Sequence, residues 1–320
     1  MTALPRIALV GVGAMGSLHA RVVAQSPDCE LAVVIDPRQE TGQAVAEKYE
    51  TQWRPELGDL SDVDAVVLAS ATESHHGLAL DILGQGKPLL VEKPVCASLT
   101  QTEEVLDAAE RAGLPVMCGL LERYNPAVMT AMSLIDAPVH VAAVRHSPYA
   151  PRIRTGVAWD LLVHDVDLAI QCFGGVEPTS VSSGVGHFHP SSAPGAEDVV
   201  ESVLKFPSGV ATVSASRIGQ RKKRGLVINE LERLIEVDLL TRNVTIYRHV
   251  SQDAATPDGR GYRQQTVIEI PELVTAREPL ATQLDRFLDL IAGRIDADAE
   301  RQSILPSHRA VDAVMAGAGV

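Results

Sequence analysis

Two domains are the architecture this sequence predicts: an α/β domain built on a doubly wound parallel sheet, then an α+β domain with a large, mostly antiparallel open sheet. Three observations predict it. A glycine turn of the form GxGxxG lies between a short apolar run and a helical pattern near the N-terminus. Short apolar runs then alternate with helical stretches as far as residue 120, and beyond it apolar residues recur with period two. The chain of 320 residues exceeds the usual single-core size, and its 46% hydrophobic content suffices for two cores. The boundary is drawn at 120, giving domains over 1–120 and 121–320.

The first element reads directly from "RIALVGVGAMGSLHARVVAQ", a strand, a tight turn and a helix. In a Rossmann-type unit Gly11 permits the turn, Gly13 lets the backbone approach a pyrophosphate, and Gly16 lets helix and strand pack closely. The free N–H groups and positive dipole of the helix start, at Ala14 and Met15, suit phosphate. A second run, "LAVVID", ends in Asp36, about twenty residues past the last glycine, where an acid accepts the ribose hydroxyls of an adenosine. That carboxylate favours NAD over NADP, whose 2′-phosphate it repels, although Arg38 stands two residues on. A helix over 39–49, a strand at 65–68, a helix over 75–83, a strand at 88–91, a helix over 101–112 and a strand at 116–118 complete the alternation. Strict alternation implies a parallel sheet covered on both faces, with ligands at the carboxyl ends of its strands. Glu92-Lys93-Pro94 stands at one such end, where a lysine held by a proline can reach a cofactor or substrate, or else is a surface loop residue.

Composition excludes several function classes. With 28 Lys plus Arg against 41 Asp plus Glu, the net charge is −13, which repels nucleic-acid phosphates. Cys29, Cys96, Cys118 and Cys172 form no CxxC, which fits a reducing cytoplasm, and no metal-ligand spacing stands out. The longest apolar run, at 7–16, is too short to span a bilayer and holds three glycines, so no membrane partner is expected.

The second half reads as strands at 139–146, 179–186, 199–206, 210–216, 226–229, 234–238, 244–248 and 266–270, with "FPSGV" a hairpin turn. Helices are expected over 125–135, 157–172, 279–291 and 306–315. A large sheet with helices on one face leaves the other needing a partner, so a homodimer or homotetramer is expected. In "GVAWDLLVHDVDLA", Asp160 and His164 are four apart, one above the other on a regular helix. They suit an acid-base pair, and equally a structural helix whose histidine is bonded by a neighbouring carboxylate.

The glycine turn, Glu92-Lys93-Pro94, "ERYNPAV" and Asp160-x-x-x-His164-Asp165 together resemble the glucose-fructose oxidoreductase/inositol dehydrogenase/rhizopine catabolism (Gfo/Idh/MocA) family over nearly the whole chain. The chain departs from it at Ser70-Ala71, where the family often has Thr-Pro, while His75 stands where the family commonly has histidine. The resemblance implies an NAD-dependent dehydrogenase acting on a CH–OH group, with Lys93, Asp160 and His164 as catalytic residues. It places Gly11, Gly13, Ala14, Met15, Gly16, Asp36, Arg38, Ser70, His75, Glu92 and Lys93 at the cofactor. Removing a hydride from carbon leaves a proton on oxygen to be lost, and His164 suits that base while Lys93 donates to the developing alkoxide.

The segment "RHSPYAPRIRTG" resembles that of family members oxidising the 3-hydroxyl of UDP-N-acetylhexosamines. Its Arg145, Arg152 and Arg154, with Arg123 and Asn125 of "ERYNPAV", are therefore expected at the substrate, as guanidinium forks suit a diphosphate. A free sugar or inositol is the alternative substrate. Two readings from other classes are an HD-type phosphohydrolase, which the strand-rich surroundings oppose, and a non-catalytic NAD(H) sensor, which would be expected to lose one of the three catalytic residues.

Overall fold

The structure, a computed structural model, describes residues 3–151, 153–256 and 259–317. Its contacts divide the chain into two compact units, one comprising Met1–Tyr124 with Arg277–Asp312, the other Asn125–Ala276 with Ala313–Val320.

The first unit opens with β1 (Arg6–Val10), α1 (Ala14–Gln25), β2 (Glu30–Ile35), α2 (Gln39–Lys48), β3 (Gln52–Arg54), β4 (Ala65–Leu68), α3 (Thr72–Gly84), β5 (Leu89–Glu92), α4 (Leu99–Ala112) and β6 (Val116–Gly119). All six strands run parallel in the order β3-β2-β1-β4-β5-β6, the doubly wound arrangement expected from the alternation. The short β3 was not expected, because "QWR" has no apolar run. It pairs only with β2, at the sheet edge. Helix α4 begins two residues before the expected start because the Ser98 hydroxyl accepts from the Gln101 N–H and caps it.

The second unit contains α5 (Pro126–Leu134), β7 (His140–His146), a π-helical turn (Ala158–Leu162) leading into α6 (Val163–Cys172), and then β8 (Ser180–Gly186), β9 (Val199–Phe206), β10 (Gly209–Ser216), β11 (Lys223–Asn229), β12 (Leu234–Asp238), β13 (Asn243–Thr256) and β14 (Gly259–Glu269). Among the described residues these eight strands form one sheet, β14-β13-β12-β11-β7-β10-β9-β8, in which only β7 and β10 pair parallel. The "FPSGV" hairpin joins β9 to β10 as expected. The last two strands are much longer than their apolar segments at 244–248 and 266–270, since main-chain pairing carries on through polar sequence. Helix α6 packs on β7 and β10, and α5 on β12 and β13. A cross-strand row on the sheet, Val203, Thr212, Ala142 and Val227, is exposed or half-buried.

The chain then returns to the first unit through α7 (Pro279–Ile291), α8 (Ala297–Gln302) and the start of α9 (Leu305–Gly317). The sequence boundary assigned these helices to the second domain; the contacts group Arg277–Asp312 with the first. The reason is the apolar stripe of α7: Leu280, Leu284, Phe287 and Leu288 are buried in one cluster with Ile7, Leu9, Val34, Val67 and Leu90 of the parallel sheet. Among the described residues no helix is long and apolar enough to cross a membrane.

Candidate functional site

The nucleotide half of the site is built at the carboxyl ends of β1, β2 and β4. Gly11 takes a φ of +88°, and a Cβ there would stand 2.6 Å from the Ser70 main chain. A Cβ on Gly16 would stand 1.9 Å from the Gly11 carbonyl oxygen, so the turn and α1 can close only on glycine. Gly13, in contrast, has nothing within 4 Å of where its Cβ would be. With Ala14 it is exposed, Met15 is half-buried, and no side chain caps the start of α1. Open space beside the N–H groups of a helix start fits a pyrophosphate.

Asp36, only 2% exposed, accepts the Val12 N–H on Oδ2 at 2.9 Å and the Arg38 N–H on Oδ1 at 2.9 Å. The Arg38 guanidinium, largely exposed, lies across it with Nε 3.0 Å from Oδ1 and Nη2 2.8 Å from Oδ2. Burial opposes ionisation of Asp36, but these bonds from Arg38 and Val12 and the Arg38 charge outweigh it and hold the carboxyl below its ordinary range. The fixed anion at the end of β2 is the group a ribose diol needs. Ser70, two residues past β4, is half-buried, its hydroxyl 2.7 Å from that of Ser74.

Lys93 follows β5 and is half-buried. Its neighbours face inward. Glu92 is bonded to His19 of α1, and the ring of His75, 1% exposed, lies against main-chain carbonyls of Ser70, Pro94 and Val95. Two residues expected on the cofactor thus have their polar atoms engaged with the protein itself.

The second unit carries Asp160 and His164. The expectation of one regular helix over 157–172 needs correcting: its first turn is π-helical, which adds a residue to the turn and rotates Asp160 relative to the i, i+4 face. Glu197 builds this start. Its Oε1 accepts the Ala158 N–H at 2.7 Å, its carbonyl accepts the Val157 N–H at 3.1 Å, and a Cβ on Gly156 would collide with its carboxylate at 1.9 Å. Buried Arg217 donates from Nη2 to Asp160 Oδ2 at 3.4 Å. Arg217 is itself held by its main-chain N–H, 2.9 Å from the Asp198 carbonyl. The carboxylate of fully buried Asp198 accepts from the N–H groups of Phe188 and His189, both at 2.7 Å, and from Ser192. Burial would raise its pKa, but the bonds from His189, Ser192 and Phe188 and the charge of Arg217 leave it below the ordinary value.

Glu197, Asp198 and Arg217 were missed from the sequence, because each acts through a partner distant in the chain. The reverse error concerns the expected substrate residues. Arg145 is 2% exposed and forks onto Asp165, 0% exposed, with Nε–Oδ2 at 2.7 Å and Nη2–Oδ1 at 2.9 Å. It joins β7 to α6 and is a structural tie. Asn125 caps α5 through the Ala127 N–H at 3.2 Å and donates to the Leu239 carbonyl at 3.2 Å. Arg123 donates to Ser303 Oγ at 2.8 Å and to its carbonyl at 2.9 Å, anchoring the turn before α9. Arg154 is exposed, and Arg152 lies outside the described residues.

The segments from Gly11 to Lys93 and from Asp160 to Arg217 lie where two family models match. Residues 5–120 match the oxidoreductase family with NAD-binding Rossmann fold, and residues 131–235 match the GFO/IDH/MocA C-terminal domain. The chain belongs to the GFO/IDH/MocA oxidoreductase family. Its first unit contains the NAD-binding Rossmann sheet, and the protein is an NAD-dependent oxidoreductase acting on CH–OH groups. It is 28% identical to a UDP-N-acetylglucosamine 3-dehydrogenase of Acidithiobacillus ferrooxidans, over 90% of this chain and 88% of that one. The solved structure of that organism's enzyme matches with a TM-score of 0.82 at 26% identity, covering 100% of both chains. An inositol 2-dehydrogenase of Rhizobium meliloti is 25% identical over 74% of this chain and 78% of that one.

Proposed function

We propose that this protein oxidises the 3-hydroxyl of UDP-N-acetylglucosamine or a close nucleotide-sugar relative. The observation that carries the reading is the similarity to a UDP-N-acetylglucosamine 3-dehydrogenase along nine-tenths of the chain. The glycine turn and the start of α1 hold the pyrophosphate of NAD, and Asp36 accepts the ribose hydroxyls once the exposed Arg38 side chain turns aside. When bound, NAD supplies the acceptor for the hydride leaving the sugar carbon. The chain's own residues handle the proton. His164 takes it from the hydroxyl as that bond breaks, and Asp160, oriented by Arg217, stabilises the imidazolium that results. The Lys93 ammonium donates a hydrogen bond to the oxygen while negative charge builds there.

With Arg145, Asn125 and Arg123 committed to structural bonds, the diphosphate falls to Arg154 and Arg152. Binding energy from that remote group positions the sugar without entering the chemistry. The similarity to inositol dehydrogenases makes a free cyclitol the second reading. A panel of UDP-sugars, free sugars and cyclitols, assayed with NAD by NADH absorbance and repeated with Arg154→Ala, decides between them. UDP-N-acetylglucosamine is expected to give the highest kcat/KM, with its KM raised in the variant. A cyclitol turning over best, with KM unchanged by Arg154→Ala, would refute the nucleotide-sugar reading.

A further inference from the structure

Three buried imidazoles, each from a different helix of the first unit, converge on the short segment that carries Lys93. His19 of α1 sets Nε2 2.8 Å from Glu92 Oε1, and Glu92 Oε2 accepts the main-chain N–H of Lys93 at 3.3 Å. His75 of α3 directs Nδ1 at the carbonyls of Pro94 (3.1 Å) and Val95 (3.2 Å), and Nε2 at that of Ser70 (3.2 Å). Carbonyl oxygens only accept, so the ring donates through whichever nitrogen carries its proton, and it lies wedged between Ser70 and the Pro94–Val95 main chain. His308 of α9 accepts the Val95 N–H on Nε2 at 3.3 Å and donates from Nδ1 to the Ile304 carbonyl at 2.9 Å. None of the three residues is more than 2% exposed. Opposite Glu92 in β6 stands Gly119, where a Cβ would come within 2.9 Å of the Glu92 carboxyl. Apart from the Ser70 and Ile304 carbonyls, every polar group so engaged belongs to one of the consecutive residues 92–95, which is more restraint than folding asks of a loop leaving a buried strand.

We infer that His19, acting through Glu92, together with His75 and His308, are positioning residues that lock the main chain around Lys93 and so fix where its ammonium is presented. The inference rests on the catalytic reading of Lys93 given above. A small displacement of such a donor lowers turnover without weakening cofactor binding, because the glycine turn and Asp36 lie on other segments.

A double-mutant cycle tests it. His19→Ala, His308→Ala and the conservative His19→Gln are each made alone and with Lys93→Met, in the full-length protein. Turnover is measured with whichever UDP-sugar or cyclitol the panel identifies, and NAD affinity by nucleotide titration. Expected are a roughly 10- to 100-fold fall in kcat for each alanine variant, NAD affinity nearly unchanged, and recovery of most of the loss in His19→Gln. In the Lys93→Met background the same changes are expected to cost nothing more. Should the alanine variants not fold, Glu92→Gln keeps the shape but has one carbonyl oxygen for two donors, and enters the same cycle. Losses that add to that of Lys93→Met, or that track NAD affinity, overturn the inference alone. Parental turnover in the Lys93→Met single variant overturns the catalytic reading itself, and the inference with it.

Discussion

Replacing Arg145 separates a substrate arginine from a structural one. The guanidinium and the Asp165 carboxylate share two parallel bonds of 2.7 and 2.9 Å and are both essentially inaccessible to water. Arg145→Ala leaves a buried carboxylate that has lost its cation, and removing one partner of such a pair costs about 3–5 kcal/mol. For a unit of this size that corresponds to a fall in Tm of roughly 10 °C. The double replacement Arg145→Met, Asp165→Leu leaves neither charge behind and is expected to recover most of the loss. Urea titrations followed by circular dichroism on the parent and the two variants measure the energies, and steady-state kinetics at low temperature measures KM. A cost below about 1 kcal/mol for Arg145→Ala, together with a raised KM for a nucleotide sugar, would instead make Arg145 a solvent-facing substrate anchor.

Asp198→Asn strips the charge from the carboxylate that gathers Phe188, His189 and Ser192, and is expected to cost roughly 1–3 kcal/mol at neutral pH. Because the native pKa lies below the ordinary one, the stabilisation is present above about pH 4 and fades as pH falls toward the native value. Unfolding free energies of parent and variant should therefore converge in acid, and a gap that widens there would contradict the sign. Gly16→Ala places a methyl group against the Gly11 carbonyl and is expected to weaken NAD binding at least about tenfold, read by nucleotide titration. His164→Ala is expected to lower kcat on the order of 10²-fold or more with NAD affinity retained; near-parental turnover would remove His164 from the mechanism. The sheet face bearing Val203, Thr212, Ala142 and Val227 is expected to be covered by a second copy, so light scattering should report a dimer or tetramer, and a monomer at micromolar concentration would contradict it.

What the sequence makes legible follows from how local each signal is. The glycine turn is read from spacing because its constraint, a backbone that only Gly11 and Gly16 can close, lies within six residues. The parallel strands are legible because burial on both faces demands unbroken apolar runs. The strands β13 and β14 extend beyond their apolar segments because a ladder needs main-chain partners and no particular side chains. Arg145 was misread for a related reason. Composition shows an arginine near a catalytic helix, but only the pairing of β7 against α6 reveals that Asp165 already neutralises it. The π-helical start of the Asp160 segment is likewise invisible, since it depends on Glu197, thirty-nine residues from Ala158. The C-terminal helices carry a clear apolar stripe, and nothing in the stripe says which sheet it will cover.

In the proposed reaction, hydride leaves the C3 carbon of a UDP-linked N-acetylhexosamine for NAD. UDP-N-acetylglucosamine deuterated at C3, incubated with the enzyme and NAD, tests it when the reduced nucleotide is collected and weighed by mass spectrometry. NADH is expected to carry the deuterium, and the sugar to gain a ketone at that carbon. Reduced nucleotide free of deuterium, or no reduction while a cyclitol is oxidised readily, would contradict it.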